Sequence, residues 1–249
     1  MTLLLKKLFG SAPGVAKKIN MKSEFLAPEL KEVSLKREVI IPRTTQGYEE
    51  KSFIYFDIDG KEVSLLTRKI ESFCLPTLIG FNLDKDITPA DTYFKTISIL
   101  KELGFTTVAD VWKMADNKVA TTNLVEFGGS VYDQKIDADL VRDTLDMDKE
   151  FVKIPFDQVQ KNAQELVNLA NKKGVELMTD GPFHLVIKPD TSWYILPLDV
   201  GKIRIHANAK ELSGANKHDN QFYVDKAVRA FSQIQQNIKA LRVARGLPR

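Results

Sequence analysis

Two acidic residues lie close to glycine in the stretch "MTDGPFHLVIKPDTSWYILPLDVG", which covers Met178–Gly201. Carboxylates at such turns can bind a hard cation such as Mg²⁺ or accept a proton from a reacting hydroxyl. The segment between Asp180 and Asp199 has the pattern of two strands joined by a turn, and such a pair brings its two ends together. The stretch therefore predicts both acids at the mouth of one cleft, with His184 facing it.

Patterns for other common chemistries are absent from the sequence. The histidines at positions 184, 206 and 218 do not pair with one another or with cysteine at ligand spacing, so no zinc site is indicated. The sequence also lacks a Walker motif, a dinucleotide-binding glycine motif and a G-x-S-x-G elbow. Cys74 lies in the apolar run "IESFCLPTLIGF", which predicts a buried, inert thiol. Asp180 and Asp199 remain the chemical candidates, and the open alternative is that both are exposed turn residues.

Composition indicates a globular protein of ordinary balance. The chain has 249 residues, of which 43% are hydrophobic and 28% charged, enough for one large domain or two lobes. The net charge of +3 is too small to imply nucleic acid by itself. One cysteine excludes an internal disulfide, and no apolar run approaches the roughly 18 residues of a membrane span. We expect an intracellular protein, cytoplasmic or inside a virion or other large assembly, and not a secreted one.

The first half of the chain is predicted to form strands and one helix. "REVIIP" (Arg37–Pro42) favours a strand, and Ser52–Thr67 favours a hairpin around Asp59-Gly60, where glycine supplies the positive φ of a tight turn. Ile87–Phe105 favours a helix, because Thr88 can cap its start and apolar residues recur at helical spacing.

The second half is predicted to be mainly helical with a small β insert. Pro155–Gly174 and Asn220–Gly246 have helical patterns, and the strand candidates "FHLVIKPDTSWYIL" and "GKIRIHA" lie between them. The apolar stripe expected in the last helix consists of Phe222, Val228, Phe231, Ile234, Ile238 and Leu241. This order of elements predicts an α+β protein with two lobes.

The N-terminal residues 1–23 carry five lysines and no acid. Such a basic arm should contact something of opposite charge, so we expect it to bind a protein partner, a neighbour in an assembly, nucleic acid or lipid. The predicted organisation is a basic arm over residues 1–36, a small β-rich lobe over 37–127 and a helical lobe with a hairpin over 128–249.

The order of these pieces resembles the protein-kinase-like family, particularly its small, divergent members, over roughly residues 50–205. "NLVEFGGSVYD" resembles the last small-lobe strand running into the hinge, and "KKGVELMTDGPFHLVI" resembles the catalytic loop with its proline. "LDVG" resembles the metal-binding "D-F-G". The resemblance implies a two-lobed kinase-like fold, with an antiparallel sheet in the small lobe and a reduced, mainly helical large lobe.

The same resemblance places altered residues at the catalytic positions. With Pro182 on the family proline, Thr179 stands where the catalytic aspartate is expected, and Asp180 is displaced by one position. His184 stands where the metal-binding asparagine is expected, while Asp199 keeps the identity of the second metal ligand. Threonine cannot act as the base, and Mg²⁺ prefers oxygen ligands over imidazole.

The small lobe departs from the family in the same way. The strand "KEVSLLTRK" puts Leu66 or Thr67 at the place of the ATP-anchoring lysine, with Arg68 or Lys69 as the nearest cation. The helix segment "TYFKTISIL" has no acid to pair with that cation, and the preceding loop "RTTQGYEEKS" has one glycine. If ATP and Mg²⁺ bind, the resemblance implies Asp180 as the candidate base and Asp199 as the metal ligand. The candidate cofactor-binding residues are Asp199, Gly201, Lys69, Arg68 and His184.

Three functions follow from these observations. The first is a pseudokinase-like binding or scaffold protein that keeps the fold and has little or no phosphotransfer. The second is a structural subunit of a large assembly, for example a virion component, whose basic arm contacts a neighbour. The third is an atypical ATP-dependent kinase that uses Asp180 as base and Asp199 as metal ligand.

Overall fold

The computed structural model describes the greater part of the chain. The described residues are 35–41, 51–58, 61–70, 75–83, 86–105, 111–122, 130–132, 150–177, 183–187, 191–197 and 202–247. Several candidate positions lie outside them: the arm (1–23), Cys74, Thr179, Asp180, Pro182, Asp199 and Gly201. Predictions that concern these positions stay predictions.

The elements alternate between strands and helices along the chain. In chain order they are β1 (Leu35–Ile41), β2 (Lys51–Ile58), β3 (Lys61–Lys69), β4 (Thr77–Ile79), α1 (Pro89–Glu102), β5 (Val111–Ala115), β6 (Lys118–Thr122), β7 (Ser130–Tyr132), α2 (Phe156–Lys173), β8 (Val175–Glu176), β9 (Phe183–Ile187), β10 (Trp193–Pro197), β11 (Arg204–His206), a 3-10 helix (Ala209–Glu211) and α3 (Gly214–Ala244). The protein is thus α+β, as the order of its sequence patterns predicted.

The described residues fall into two compact units. Unit 1 contains those up to Leu75 and those within Leu83–Ile99 and Val108–Asn123. Unit 2 contains those within Pro76–Asn82, Leu100–Thr107 and Leu124–Arg249.

Unit 1 is built on a five-stranded antiparallel sheet with the order β1-β2-β3-β6-β5. The predicted hairpin is confirmed, because Ser52 faces Thr67 across β2 and β3 and the pairing continues to Ile58 and Lys61. Leu65 on β3 and Ile54 on β2 are buried at 0% and 2% exposure, so the hairpin contributes directly to the core. The β-rich runs on both sides of Asp59-Gly60 had indicated this pairing.

Helix α1 begins where the sequence predicted. The backbone N–H of Asp91 donates to the hydroxyl of Thr88 at 3.2 Å, which caps the first turn. Ile97 and Leu100 are buried, and Gly104 ends the helical stretch with a φ of 94°. Ala90 N donates to the carbonyl of Asp116 at 2.9 Å, which joins the start of α1 to the β5–β6 hairpin.

Unit 2 combines two small sheets with two long helices. One sheet has the order β10-β9-β7, and the other has the order β4-β11-β8. Strand β11 is parallel to β4 and antiparallel to β8. The helices α2 and α3 confirm the two predicted helical segments, although α3 begins at Gly214, six residues before the predicted start.

The core of unit 2 contains one face of each long helix and the strand β9. Phe183 of β9 stacks on Phe231 of α3 with ring centroids 5.4 Å apart and an interplanar angle of 20°. Val228 and Ile238 of the predicted α3 stripe are buried, but Phe222 is 50% exposed. The assignment of Phe222 to the stripe was therefore wrong, and Asn220 occupies a buried position on that turn instead.

Candidate functional site

The strands that flank the two acidic positions are paired on both sides. Glu176 of β8 faces Arg204 of β11 across an antiparallel ladder. Phe183 at the start of β9 faces Pro197 at the end of β10. The segments 178–182 and 198–201 therefore both run between the same two strand pairs, which are β8–β11 and β9–β10.

The backbone around His184 is held firmly. His184 lies in β9 opposite Leu196, and the adjacent Leu185 and Phe183 are buried at 1% and 0% exposure. Strand β9 also pairs with β7, where Val131 faces Val186. The side chain of His184 lies outside the described part of the structure, so its predicted orientation toward a cleft stays a prediction.

A buried glutamate links three elements directly beside these strands. Glu176 of β8 is 2% exposed, and its Oε1 lies 2.5 Å from Nε2 of His206 on β11. Asn216 Nδ2, in the first turn of α3, donates to the same oxygen. Arg204 Nη1 lies 3.7 Å from the other oxygen, Oε2. One carboxylate thus holds β8, β11 and the start of α3 together.

The side chain of Asn220 extends this polar network. It is 1% exposed, its Oδ1 accepts from Leu177 N at 2.6 Å, and its Nδ2 donates to the Val175 carbonyl at 2.8 Å. Nδ2 also donates to Asn171 Oδ1 of α2 at 2.8 Å. These bonds join β8 and Leu177 to α2 and α3, just before residue 178.

The network was not identified from the sequence. Glu176 occurs in the apolar run "VELM", and an acid in such a run is a signal, because carboxylates are rarely buried without a partner. The partner could not be found by spacing, since His206 and Asn216 are 30 and 40 residues away. Among the described residues, no cluster of three or more His, Cys, Asp or Glu side chains could bind a metal ion.

In unit 1, the candidate cations Arg68 and Lys69 lie at the end of β3. Lys69 faces Lys118 of β6, and Arg68 faces Lys51 of β2. Lys118 Nζ lies 3.5 Å from Glu38 Oε1 of β1. Two lysines directly opposite each other repel, and the nearby carboxylate offsets part of that repulsion.

A row of hydroxyl groups connects Glu38 to β3. Ser52 donates to Glu38, and Ser52 and Thr67 share a hydrogen bond of 2.7 Å. The hydrogen bond from Ser52 is the main cause that holds the pKa of Glu38 below its usual value, and Lys118 adds to this effect. The carboxylate of Glu38 therefore lies beside Lys118, one of the cations at this end of the sheet.

The two acids of α1 lie in its first turn and at its last residue. Asp91 is 1% exposed, accepts from Thr88, and lies 3.3 Å from Nζ of Lys113 on β5. Hydrogen bonds to Asp116 and then to Asp91 raise the pKa of Lys113. The other acid of the helix, Glu102, is its last residue and is exposed.

Comparison with known proteins adds no assignment. No family model matches the chain, and no curated protein matches it. Within the residues that the structure describes, no helix combines the length and apolar character that a membrane crossing requires.

Proposed function

We propose that this chain is a kinase-like binding or scaffold protein with little or no phosphoryl transfer. In the protein-kinase-like family, the ATP-anchoring lysine lies on the third strand of the small-lobe sheet and pairs with a glutamate from the helix that follows. Here β3 is the third strand of the sheet in unit 1, and α1 lies between it and β5 and β6 in the chain. This order supports the resemblance.

The order of elements in unit 2 supports the same resemblance. Helix α2 leads into β8, the β9–β10 hairpin follows, and β11 returns to pair with β8. In the family, the segment before the hairpin carries the catalytic residues and the segment after it carries a metal ligand. These segments correspond to residues 178–182 and 198–201, which contain Asp180 and Asp199.

One observation on α1 supports the proposed loss of phosphoryl transfer. Its acids are Asp91, which is used in the helix cap and the ion pair with Lys113, and Glu102 at its last position. The middle of the helix, where the family carries the glutamate of this pair, reads "TYFKTISIL" and has no acid. Because positioning and charge stabilisation account for nearly all of phosphoryl transfer, the absence of that glutamate and an altered catalytic loop should leave little rate.

We expect that 5 mM ATP with Mg²⁺ raises the melting temperature of the full chain by less than about 1 °C. A ligand stabilises the native state by RT ln(1 + [L]/Kd), so a Kd near or above the ligand concentration gives about 0.4 kcal/mol or less. Differential scanning fluorimetry of the wild type, Lys69→Met and Lys101→Met measures this. A rise of several degrees that Lys69→Met abolishes and Lys101→Met retains would favour the atypical kinase instead.

A further inference from the structure

Four segments of unit 2 meet around Gly174. His206 N of β11 donates to the Gly174 carbonyl at 2.9 Å. A Cβ placed on Gly174 would lie 2.8 Å from Cα of Ala209, so the 3-10 helix passes directly against it. The first turn of α3 joins the same place through the bond from Asn216 to Glu176.

These four segments are unusually rich in cations. The basic cluster is defined as Lys172, Lys173, Lys202, Arg204, Lys210 and Lys217. Lys172, Lys210 and Lys217 are exposed, and Arg204 is 47% exposed. Five of them lie within two residues of one of the contacts around Gly174, and Lys202 lies two residues before Arg204, so the segments that meet there carry all six cations.

Few acids offset this charge. Within residues 172–176 and 202–219 the acids are Glu176, Glu211 and Asp219. Glu176 is buried, is bonded to His206 and Asn216 and lies 3.7 Å from Arg204, which leaves Glu211 and Asp219 as the exposed acids of these segments. The first turn of α3 has no acidic residue. The surface therefore presents a net positive charge to solvent.

The basic cluster lacks apolar anchors. The large apolar side chains that are exposed elsewhere in the described residues are Val39, Ile40, Met114, Phe222, Val243 and Leu247. These positions lie outside the segments that form the cluster. Protein interfaces concentrate aromatic anchors and are depleted in lysine, whereas phosphate backbones are bound by lysine and arginine without such anchors.

We propose that the basic cluster binds the phosphate backbone of a nucleic acid without sequence selectivity. Five of its six cations are lysines, whose ammonium groups act as mobile point charges and do not read base edges in a fixed geometry. Asn208, which accepts from Lys210 N, and Ser213, which caps α3, add polar groups of the kind that contact phosphate and sugar. The binding does not depend on a kinase-like activity.

The test compares two variants of the full chain that lose the same charge. The cluster variant carries Lys172→Gln, Lys173→Gln, Lys210→Gln and Lys217→Gln. The control variant carries Lys153→Gln, Lys161→Gln, Lys226→Gln and Lys239→Gln, at other exposed positions of unit 2. Fluorescence anisotropy with a labelled single-stranded 20-mer of mixed sequence is recorded from about 50 to 200 mM salt, where phosphate contacts dominate.

We expect the cluster variant to bind at least about tenfold more weakly than the control variant at 50 mM salt. Each phosphate contact on a single strand contributes about 0.7 to the slope of log K against log salt, so that slope should fall by about three. The basic arm is present in both proteins and cancels in the comparison. Equal affinities and slopes for the two variants would overturn the proposal.

Anionic vesicles provide the second arm of the experiment, because polybasic surfaces also bind acidic lipid. We expect the difference in binding between the two variants to be smaller for vesicles of phosphatidylserine and phosphatidylcholine than for the oligonucleotide. If the cluster variant loses vesicle binding and keeps oligonucleotide binding, the surface is a membrane contact and the nucleic-acid proposal is wrong. Circular dichroism of both variants confirms that the fold is retained.

Discussion

Replacing Gly174 by alanine should lower the free energy of unfolding by about 3 kcal/mol. Gly174 ends α2 with a φ of 72°, a conformation that costs a residue with a Cβ about 1–2 kcal/mol. The added Cβ would also lie 2.8 Å from Cα of Ala209, which is a backbone atom and cannot rotate away. Urea unfolding followed by far-UV circular dichroism measures the loss.

Gly104→Ala is the matched control for this substitution. Gly104 has a φ of 94°, but no heavy atom lies within 4 Å of a Cβ built at that position. Gly104→Ala should therefore lower the free energy of unfolding by the backbone strain alone, about 1 kcal/mol. If Gly174→Ala is no more destabilising than Gly104→Ala, the close approach of the 3-10 helix to α2 is wrong, and the convergence that defines the basic cluster would be wrong with it.

Replacing Asn220 by alanine should cost about 2–4 kcal/mol of stability. The substitution leaves the buried N–H of Leu177 and the carbonyl of Val175 without the side chain that binds both. Each buried polar group that loses its partner costs about 1–3 kcal/mol, and relaxation of the site recovers part of the sum. Urea unfolding gives the free energy, and hydrogen exchange at Leu177 reports whether β8 opens.

Asn168→Ala serves as the control for Asn220→Ala. Asn168 of α2 is exposed and accepts from Gln164 at 3.2 Å, so its loss should change stability by less than about 0.5 kcal/mol. A cost below about 1 kcal/mol for Asn220→Ala, or unchanged exchange at Leu177, would mean that the asparagine does not hold the chain beside residue 178.

Local patterns predicted those elements whose determinants are close together in the chain. The β2–β3 hairpin was indicated by two β-rich runs on either side of Asp59-Gly60. Helix α1 was predicted by its cap residue Thr88 and by the helical spacing of its apolar residues. Helix α2 was predicted by the same kind of spacing and by Gly174 at its end.

The strand candidate "GKIRIHA" contains β11, but the sheet β4-β11-β8 could not be predicted. Strands β4 and β8 have three and two residues, which are too few to show a period, and the pairing joins positions 77–79 with 204–206. The burial of Glu176 has the same origin, because it depends on His206 and Asn216 from distant segments. Only the tertiary fold brings these partners together.

Phe222 shows where the helix pattern was misleading. The phenyl group fitted the apolar spacing of α3, but the neighbouring Asn220 is buried at 1% exposure because three hydrogen bonds satisfy its amide. Gln235 is also buried, since its Nε2 donates to the carbonyls of Phe151 and Ile154. Satisfied amides thus define part of the buried face of α3, and hydrophobicity alone could not locate it.

The central claim is the proposal that this chain is kinase-like and does not transfer phosphate. Its most direct measurement is ³²P transfer from ATP with Mg²⁺, to the full chain itself and to generic protein acceptors, beside an Asp199→Asn variant. We predict no transfer above the protein-free blank and no difference between wild type and variant, because the proposed kinase-like alignment puts Thr179 in place of the expected base and the middle of α1 has no glutamate. Clear transfer by the wild type that Asp199→Asn abolishes would contradict the account and establish an atypical kinase.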